Sequence, residues 1–393
     1  MQRCILPADS GPGKDGEISA VPSYHFRCTS CQLTAPAGPD KLGCHACGGA
    51  LVVEYEGPSP CTRALWGSLP LWAPKLPGSM GEGRTPCVPL NRLGAKLQLP
   101  RLYAKLEHLN PTGSFKDRGS AVLVSALAEY GVREVADDSS GNAGASLAAY
   151  AARAGICCTI FVPDSTPIAK LTQISAYGAC LERVPGTRQA AARACREHCS
   201  REGVTHASHS LSPFFLEGMK SFSYEVAESF PDSPPDHLLF PVGNGALLIG
   251  AWKGITELLG KQQKTAALGA RLPRLHAVQA EACSPVVAAY RREERLSLPP
   301  PQAPTVTGGI AVERPPRLAG ILAVLEGSQG SAVAVNEERV LAWQKDLAET
   351  EGIFCEPTAA AAFAGLEILV KDGVIRQDEV VVVPVTGHGL KDR

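Results

Sequence analysis

From about residue 100 onward, short apolar runs alternate with longer stretches in which apolar residues recur at helical spacing. The runs have the length of strands, and the longer stretches have the period of helices. In chain order the sequence predicts strand 102–106, a helix from Lys116 that stops at Gly131, strand 134–137, helix 144–154, strand 156–162, helix 167–177, strand 180–184 and helix 188–201. Such alternation is typical of parallel sheets covered by helices. We therefore expect an α/β protein.

A polar, proline-rich break at 230–235 interrupts the alternation, which resumes at Leu238–Phe240. We therefore predict two doubly wound, mostly parallel-sheet domains, one of them inserted into the other. A second proline-rich stretch, 297–316, is predicted to be a long surface loop. The predicted parts are a zinc-ribbon-like segment at 22–56, a large domain made of 57–119 and 223–393, and a small inserted domain at 120–222.

Composition narrows the function classes. The chain has 393 residues, of which 45% are hydrophobic and 20% charged, and its net charge is −1. This charge offers no basic surface for nucleic acid or an anionic membrane. No run approaches the roughly eighteen apolar residues of a spanning helix, and the first residues lack the apolar core of a signal peptide. We expect a cytoplasmic protein with no nucleic-acid partner and no membrane partner.

Four of the fourteen cysteines form two pairs near the amino end. Cys28-x2-Cys31 is followed after twelve residues by Cys44-x2-Cys47. Two such pairs supply four thiolates, which close a tetrahedral zinc site and leave no open position for catalysis. The spacing predicts a structural zinc ion, and free thiols are the alternative. The other cysteines are scattered, as expected for reduced core residues.

The stretch Asn110–Gly119 places Lys116 between a turn and the start of a helix. Pro111 and Gly113 interrupt the approach to this helix. A lysine at such a junction can be buried with a lowered pKa, which an imine-forming lysine needs. A solvated lysine at the start of a helix is the alternative.

Three further turns are rich in small residues, and each follows the predicted end of a strand. Ser139–Ser146 precedes a helix, and its amides suit either an anion or an ordinary helix cap. Pro241–Gly250 is glycine-rich without the Gly-Lys-Ser/Thr of a P-loop, so a single phosphate fits it better than a nucleotide. A valine strand at 380–383 leads into Thr386–Lys391.

Ser-Phe-Lys-Asp-Arg-Gly at 114–119 and Thr-Gly-x-Gly-Leu-Lys-Asp at 386–392 resemble motifs of one enzyme family. It is the threonine synthase branch of the pyridoxal-phosphate enzymes, whose fold is of the tryptophan-synthase-β type (fold type II). Similar cysteine-pair ribbons precede the catalytic body in many threonine synthases. The resemblance implies two α/β domains with the cofactor in a cleft between them.

The resemblance also implies residue roles. Lys116 is the catalytic residue, which forms the imine with pyridoxal 5'-phosphate and then moves protons at Cα and Cβ of the substrate. Asn142 orients the cofactor ring and Thr386 faces its nitrogen, whereas the amides of a serine-rich loop hold the substrate carboxylate. The implied cofactor-binding residues are Lys116, Asn142, Gly243, Asn244, Gly245, Ala246, Leu247 and Thr386. The implied substrate-binding residues are Ser139, Ser140, Gly141, Ala143 and Ser210.

The implied reaction converts O-phospho-L-homoserine and water to L-threonine and phosphate, and a homodimer is the assembly we expect. The chain departs from its relatives in two places. Phe214-Phe215 occupies the region where relatives place an arginine, and Leu247 stands where they place an asparagine. The alternative is a related enzyme of β-elimination or β-replacement on another phospho- or hydroxy-amino acid, cysteate synthase-like or threonine dehydratase-like. A second alternative is a non-catalytic member that binds a partner through its ribbon.

Overall fold

The computed structural model describes residues 23–56, 78–262, 272–292 and 305–391. The strands of these ranges are β1 (Tyr24–Cys28), β2 (Thr34–Pro36), β3 (Leu51–Tyr55), β4 (Cys87–Pro89), β5 (Leu102–Lys105), β6 (Glu134–Asp137), β7 (Cys157–Pro163), β8 (Cys180–Val184), β9 (Thr205–His206), β10 (His237–Pro241), β11 (Arg274–Ala280), β12 (Ala332–Val335) and β13 (Val381–Pro384). The α-helices are α1 (Asn91–Leu97), α2 (Lys116–Glu129), α3 (Asn142–Ala154), α4 (Ile168–Ala176), α5 (Arg188–Glu202), α6 (Pro213–Gly218), α7 (Ser221–Ser229), α8 (Ala246–Gln262), α9 (Pro285–Tyr290), α10 (Leu318–Gly327), α11 (Glu337–Glu351) and α12 (Pro357–Lys371).

Local signals explain several helix ends. Helix α3 ends at Gly155, whose left-handed φ of 69° any side chain would strain. Helix α5 begins at Thr187, whose hydroxyl accepts a hydrogen bond from the amide of Ala190. Helix α12 has Pro357 in its first turn, where the missing N–H costs nothing.

The first of two compact units contains the described residues up to Glu82 together with Lys116–Gly218. It has a three-stranded antiparallel sheet in the order β2-β1-β3 and a four-stranded parallel sheet in the order β8-β7-β6-β9. Helices α2 to α6 belong to this unit, which therefore combines the ribbon sheet with an α/β sheet.

The second unit contains Gly83–Phe115 and the described residues from Met219 onward. Its six-stranded sheet has the order β12-β11-β10-β13-β5-β4, in which only the edge strand β4 is antiparallel to its neighbour. Its main core is apolar and includes the alanine-rich face of α12 and the stacked rings of Trp343 and Phe363. The domain limits that we drew from the sequence stay a prediction, and residue 22 and residues 57–77 lie outside the described ranges.

The predicted fold class is confirmed, because both larger sheets are mixed with helices and dominated by parallel pairs. The predicted strands and helices lie within two residues of those observed, and strand 180–184 has the predicted bounds. In the described part of the chain, none of the helices combines the length and apolar character needed to cross a membrane.

The described part of the proline-rich stretch, 305–316, is irregular and mostly exposed or half-buried, in agreement with the prediction of a surface loop. Residues 297–304 lie outside the described ranges. In the remainder, Thr307 and Ile310 are buried, and Gly308–Ile310 forms a short 3-10 helix. Composition predicted the irregular backbone, whereas its packing against other elements is a tertiary property that proline content does not report.

Candidate active site and metal centre

The four cysteines of the ribbon come together as predicted. Their sulfur atoms all lie within 4.8 Å of one another. Cys28 Sγ lies 3.5 Å from Cys47 Sγ, and Cys31 Sγ lies 3.6 Å from Cys44 Sγ. Zinc–sulfur bonds of about 2.3 Å place tetrahedral ligands about 3.8 Å apart, so the four donors fit the ion. A hydrogen bond from the backbone of Cys31 lowers the pKa of Cys28 to about 6, whereas hydrogen bonds with the other ribbon thiols raise the pKa of Cys31 to about 12, so it is the geometry of the four sulfur atoms that supports zinc.

The ribbon packs on helix α6 within the first unit. The hydroxyl of Tyr55 in β3 donates a hydrogen bond of 2.5 Å to the carboxylate of Glu217. The ring of Phe26 in β1 packs edge-on against Phe214, with centroids 5.1 Å apart. Phe214 and Phe215 are each 1% exposed. The residues that replace the expected arginine are therefore packing residues, and the segment Pro213–Gly218 supplies no cation.

The loop before Lys116 pairs with the carboxyl-end segment in the second unit. The amide of Phe115 donates to the carbonyl of Thr386 at 3.1 Å, and Ser114 forms a β-bridge with Gly387. The amide of His388 donates to the carbonyl of Gly113 at 3.0 Å. Two motifs about 270 residues apart in sequence are thus joined, immediately before Lys116.

A buried polar network anchors this loop. The Lys105 ammonium lies 2.6 Å from the Glu225 carboxylate, which also accepts hydrogen bonds from the amides of Arg84 and Thr85. Glu107 accepts from the Thr85 hydroxyl at 2.7 Å and from the Asn110 side chain at 3.2 Å. Since buried charges require partners, these contacts explain how the second unit holds the turn in one conformation.

Lys116 is the first residue of α2 and belongs to the first unit. Asp117 accepts a hydrogen bond of 2.6 Å from the Ser146 hydroxyl on α3. A Cβ atom at Gly218 would lie 2.0 Å from the carbonyl oxygen of Arg118, so only glycine permits this contact between α6 and α2. The start of the lysine helix is therefore held by two neighbouring helices.

The predicted substrate loop connects β6 to α3. A Cβ atom at Gly144 would lie 1.9 Å from the carbonyl oxygen of Ser139, so glycine lets the loop fold closely over the helix start. The residue at the N-cap position of α3 is Gly141, which has no side chain with which to cap the helix. Ser210, on the loop before α6, belongs to the same unit, and its hydroxyl lies 3.2 Å from that of Ser208. The arrangement suits amide binding of an anion.

The glycine-rich turn Gly243–Leu247 connects β10 to α8 in the second unit. Gly245 has a φ of 78°, and a Cβ atom there would lie 2.4 Å from Ile321. A Cβ atom at Gly243 would lie 3.1 Å from the Cα of Ile310. Gln279 donates a hydrogen bond of 3.0 Å to the carbonyl of Val242. The close packing fixes the backbone of a turn whose amides suit a phosphate.

Two hydroxyl groups of the second unit test whether a cofactor fits. The oxygens of Ser114 and Thr386 are buried, and neither has a hydrogen-bond partner among the described residues. A buried hydroxyl without a partner costs about 1–3 kcal/mol, so each favours a ligand that would complete it. Thr386 is the residue that we expect to face the cofactor nitrogen, and its unpaired oxygen fits that expectation.

A cluster of acids and histidines in the first unit was missed by the sequence analysis. Asp137 ends β6 directly before Asp138 and the serine loop, and its carboxylate lies 2.8 Å from Nδ1 of His209. Burial opposes ionisation of Asp137, but His209 holds its pKa below the usual range, whereas burial and the charge of Asp137 raise the pKa of Asp138. Two consecutive acids at the end of an apolar strand were the available signal.

Comparison with known proteins identifies the family. Residues 78–387 match the family model described as "Pyridoxal-phosphate dependent enzyme". The chain belongs to this family. A threonine synthase of Methanosarcina acetivorans is 35% identical over 380 residues, which are 94% of this chain and 92% of the relative. A threonine synthase of Methanocaldococcus jannaschii is 37% identical over 80% of this chain and 76% of the relative.

Solved structures agree with the fold. The processed form of threonine deaminase isoform 2 from Solanum lycopersicum has a TM-score of 0.67 at 20% identity, and 77% of this chain and 79% of that chain are covered. An O-ureido-L-serine synthase has a TM-score of 0.64 at 22% identity, with 79% and 90% covered. The expected threonine synthase-type family and fold type II are confirmed, and the chain is a pyridoxal-phosphate dependent lyase.

Proposed function

We propose that this enzyme converts O-phospho-L-homoserine and water to L-threonine and phosphate. Its support is similarity to threonine synthases over almost the whole chain, combined with a lysine loop that pairs with the carboxyl-end motif. A binding module has no need of that pairing or of a buried hydroxyl without a partner. The same features argue against a non-catalytic member of the family.

Pyridoxal phosphate, when bound, supplies an aldehyde that holds the substrate nitrogen and a ring that withdraws electrons from Cα. We propose that the amides of Gly243 to Leu247 hold its phosphate and that the Thr386 hydroxyl contacts its ring nitrogen. A neutral hydroxyl, unlike a carboxylate, leaves that nitrogen largely unprotonated. Asn142 would hydrogen-bond the ring oxygen and orient the ring.

The chain's own groups then carry the proton transfers. Lys116 Nζ would hold the cofactor covalently and would be the group that takes up and returns protons at Cα and Cβ of the substrate. The amides and hydroxyls of Ser139, Ser140, Gly141 and Ala143, with Ser210, bind the substrate. Loss of one proton each from Cα and Cβ would let phosphate leave from Cγ, and a proton returned to Cγ would form the methyl group. Water would then add its oxygen at Cβ, with its remaining proton passing to the released phosphate, and Lys116 would return a proton to Cα.

The ribbon is proposed to hold one structural zinc ion through Cys28, Cys31, Cys44 and Cys47. Sulfur separations of 3.5 and 3.6 Å support this, and four protein ligands leave no position for substrate. A cytoplasmic location and a homodimer are further proposals. Light scattering of the purified protein tests the dimer, and metal analysis of a Cys31→Ser variant tests the zinc site.

The reaction is tested with purified protein supplied with cofactor and O-phospho-L-homoserine. Wild type is expected to release phosphate and threonine in equal amounts and to show the visible absorbance of lysine-bound cofactor, which borohydride bleaches. Lys116→Ala is expected to lose both signals, whereas Lys371→Ala, at the exposed end of α12, keeps them. A colourless wild-type protein, or an active Lys116→Ala variant, would contradict the assignment.

A second candidate is supported by the packing of α6. Phe214 and Phe215 are buried and aromatic where a phosphate-binding cation is expected, and Leu247 is 4% exposed. Losing a bidentate contact to phosphate weakens binding by about 2–4 kcal/mol. Phosphate and product measurements with O-phospho-L-serine, L-serine and L-threonine separate the candidates. Turnover of one of these, with none of O-phospho-L-homoserine, would favour β-elimination or β-replacement.

A further inference from the structure

The cluster at the end of β6 contains three groups of metal-ligating chemistry. One donor atom each from Asp137, Asp138 and His206 lie within 4.8 Å of one another. Strands β6 and β9 are parallel neighbours in which Ala136 is opposite His206, so both strands end at this edge of the four-stranded sheet. The cluster shares no residue with the ribbon cysteines.

Two of the donor atoms are buried and incompletely bonded. Asp137 is fully buried, and its Oδ1 has no hydrogen-bond partner in the described part of the chain. Nε2 of His206 is also buried without a partner. The two atoms face each other at 3.8 Å, which exceeds a hydrogen bond. Buried polar atoms of native proteins are nearly always paired, so these two point to a missing ligand.

The second oxygen of Asp137 is already bonded. His209 Nδ1 lies 2.8 Å from Oδ2, which leaves Oδ1 directed at His206. A neighbour that holds one oxygen of a carboxylate while the other binds an ion is the usual arrangement around protein metal sites. The cluster therefore has both a donor set and a group that orients it.

We propose that Asp137, Asp138 and His206 bind a divalent transition-metal ion such as Zn²⁺. Metal–oxygen and metal–nitrogen bonds of about 2.0–2.2 Å place neighbouring tetrahedral ligands about 3.4 Å apart, close to the 3.8 Å between Oδ1 and Nε2. An imidazole with two carboxylates suits zinc or manganese better than magnesium or calcium. Three protein ligands leave a fourth position for water, in contrast to the closed ribbon site.

The bound ion would act on the neighbouring loop. Asp137 and Asp138 directly precede Ser139–Ala143, so an ion held by both side chains fixes the backbone where that loop begins. Metal binding at this cluster does not depend on the reaction that the enzyme catalyses.

The test is the zinc content of full-length holoenzyme after loading with Zn²⁺ and removal of unbound metal. Four proteins are compared: wild type, His206→Phe, Asp138→Asn and, as a matched control, His198→Phe. His198 is another histidine of the first unit whose Nε2 is buried without a partner, but it lies outside the cluster. The ribbon is common to all four, so differences between them report the proposed site alone.

Wild type and His198→Phe are expected to bind about one zinc ion per chain more than His206→Phe and Asp138→Asn. A His209→Gln variant is expected to weaken that binding by about 10- to 100-fold, as for other residues that orient ligands. Equal zinc content in wild type and both ligand variants would overturn the proposal and indicate a bridging water. Asp138→Asn is isosteric at a half-buried position, so it decides the matter if His206→Phe fails to fold.

Discussion

Each of the two units contains a buried cluster of histidines and carboxylates. The two clusters differ in how many of their polar atoms have hydrogen-bond partners in the described part of the chain. In the second unit, His237 Nδ1 lies 2.9 Å from His276 Nε2, and His237 Nε2 lies 2.9 Å from Glu379. In the first unit, the facing atoms of Asp137 and His206 have no hydrogen-bond partners among the residues that the structure describes. One cluster is a continuous hydrogen-bond chain whose last oxygen, Glu379 Oε1, lies 3.0 Å from the Arg376 guanidinium, and the other has a gap between donors.

The continuous chain has a single consistent set of protons. The amide of Ser331 donates to Nδ1 of His276, so the proton of that ring lies on Nε2. His276 therefore donates to His237 Nδ1, and His237 donates through Nε2 to Glu379. All four ring nitrogens have partners without any ligand. Such a network stabilises the fold, whereas a cluster that needs one more atom is a candidate for binding.

The largest expected effect on the free energy of unfolding is that of the His237→Phe substitution. An aromatic ring is retained, but His276 loses its buried partner, and an unsatisfied buried group costs about 1–3 kcal/mol. The Glu379 carboxylate loses the imidazole and keeps Arg376 as a partner. We expect a loss of about 3 kcal/mol in the free energy of unfolding, measured by urea denaturation. A loss below about 1 kcal/mol would show that the His237 hydrogen bonds contribute little to stability. It would contradict the difference that we draw between the two clusters.

Added Zn²⁺ is expected to have the next largest effect on the free energy of unfolding. Part of this effect should require the proposed site of Asp137, Asp138 and His206. A ligand at one hundred times its dissociation constant adds about 2.7 kcal/mol to the free energy of unfolding. Wild type should therefore gain more from added Zn²⁺ than His206→Phe, as measured by denaturation with and without the metal. An equal gain in both proteins would assign all of the stabilisation to the ribbon.

The continuous chain also predicts a pH dependence. Burial lowers the pKa of His237 and lowers that of His276 well below the ordinary value. The unfolded chain therefore takes up protons below about pH 6.5 that the folded chain does not, so stability is complete above that pH and falls as pH decreases. We expect a slope of up to about 1.4 kcal/mol per pH unit for each imidazole. Denaturation between pH 7.5 and 5.5 measures it, and His237→Phe should reduce it.

Local patterns and long-range contacts also differ in how well the sequence predicted them. Local signals predicted β6 and β8 with their observed bounds and the other elements from β5 to α5 to within two residues, because strand length, glycine stops and helical spacing act over a few residues. The cysteine pairs were equally local, since Cys28 and Cys31 define their own hairpin tip. The resemblance of short motifs located Lys116 and Thr386, and the pairing of Phe115 with Thr386 agrees with it.

Long-range pairs were not accessible in this way. Asp137 and His209 are 72 residues apart, and His237 and Glu379 are 142 apart, so neither pair has a local pattern. The close approach of Ile310 to Gly243 was likewise missed, because proline content near 310 indicated only irregular structure. Such contacts depend on which strands become neighbours, and a single sequence does not report that directly.

The smallest expected effect is that of His206→Phe in metal-free protein. Among the described residues Nε2 has no hydrogen-bond partner to lose, since the Asp137 oxygen that faces it is 3.8 Å away, and His209 still holds the other oxygen of that carboxylate. We expect the free energy of unfolding to change by less than about 1 kcal/mol, against about 3 kcal/mol for the same substitution at His237. Denaturation of both variants in the presence of a chelator makes the comparison directly. Equal losses of stability in the two variants would mean that a water molecule already hydrogen-bonds His206. The cluster of the first unit would then be a complete hydrogen-bond network like that of the second.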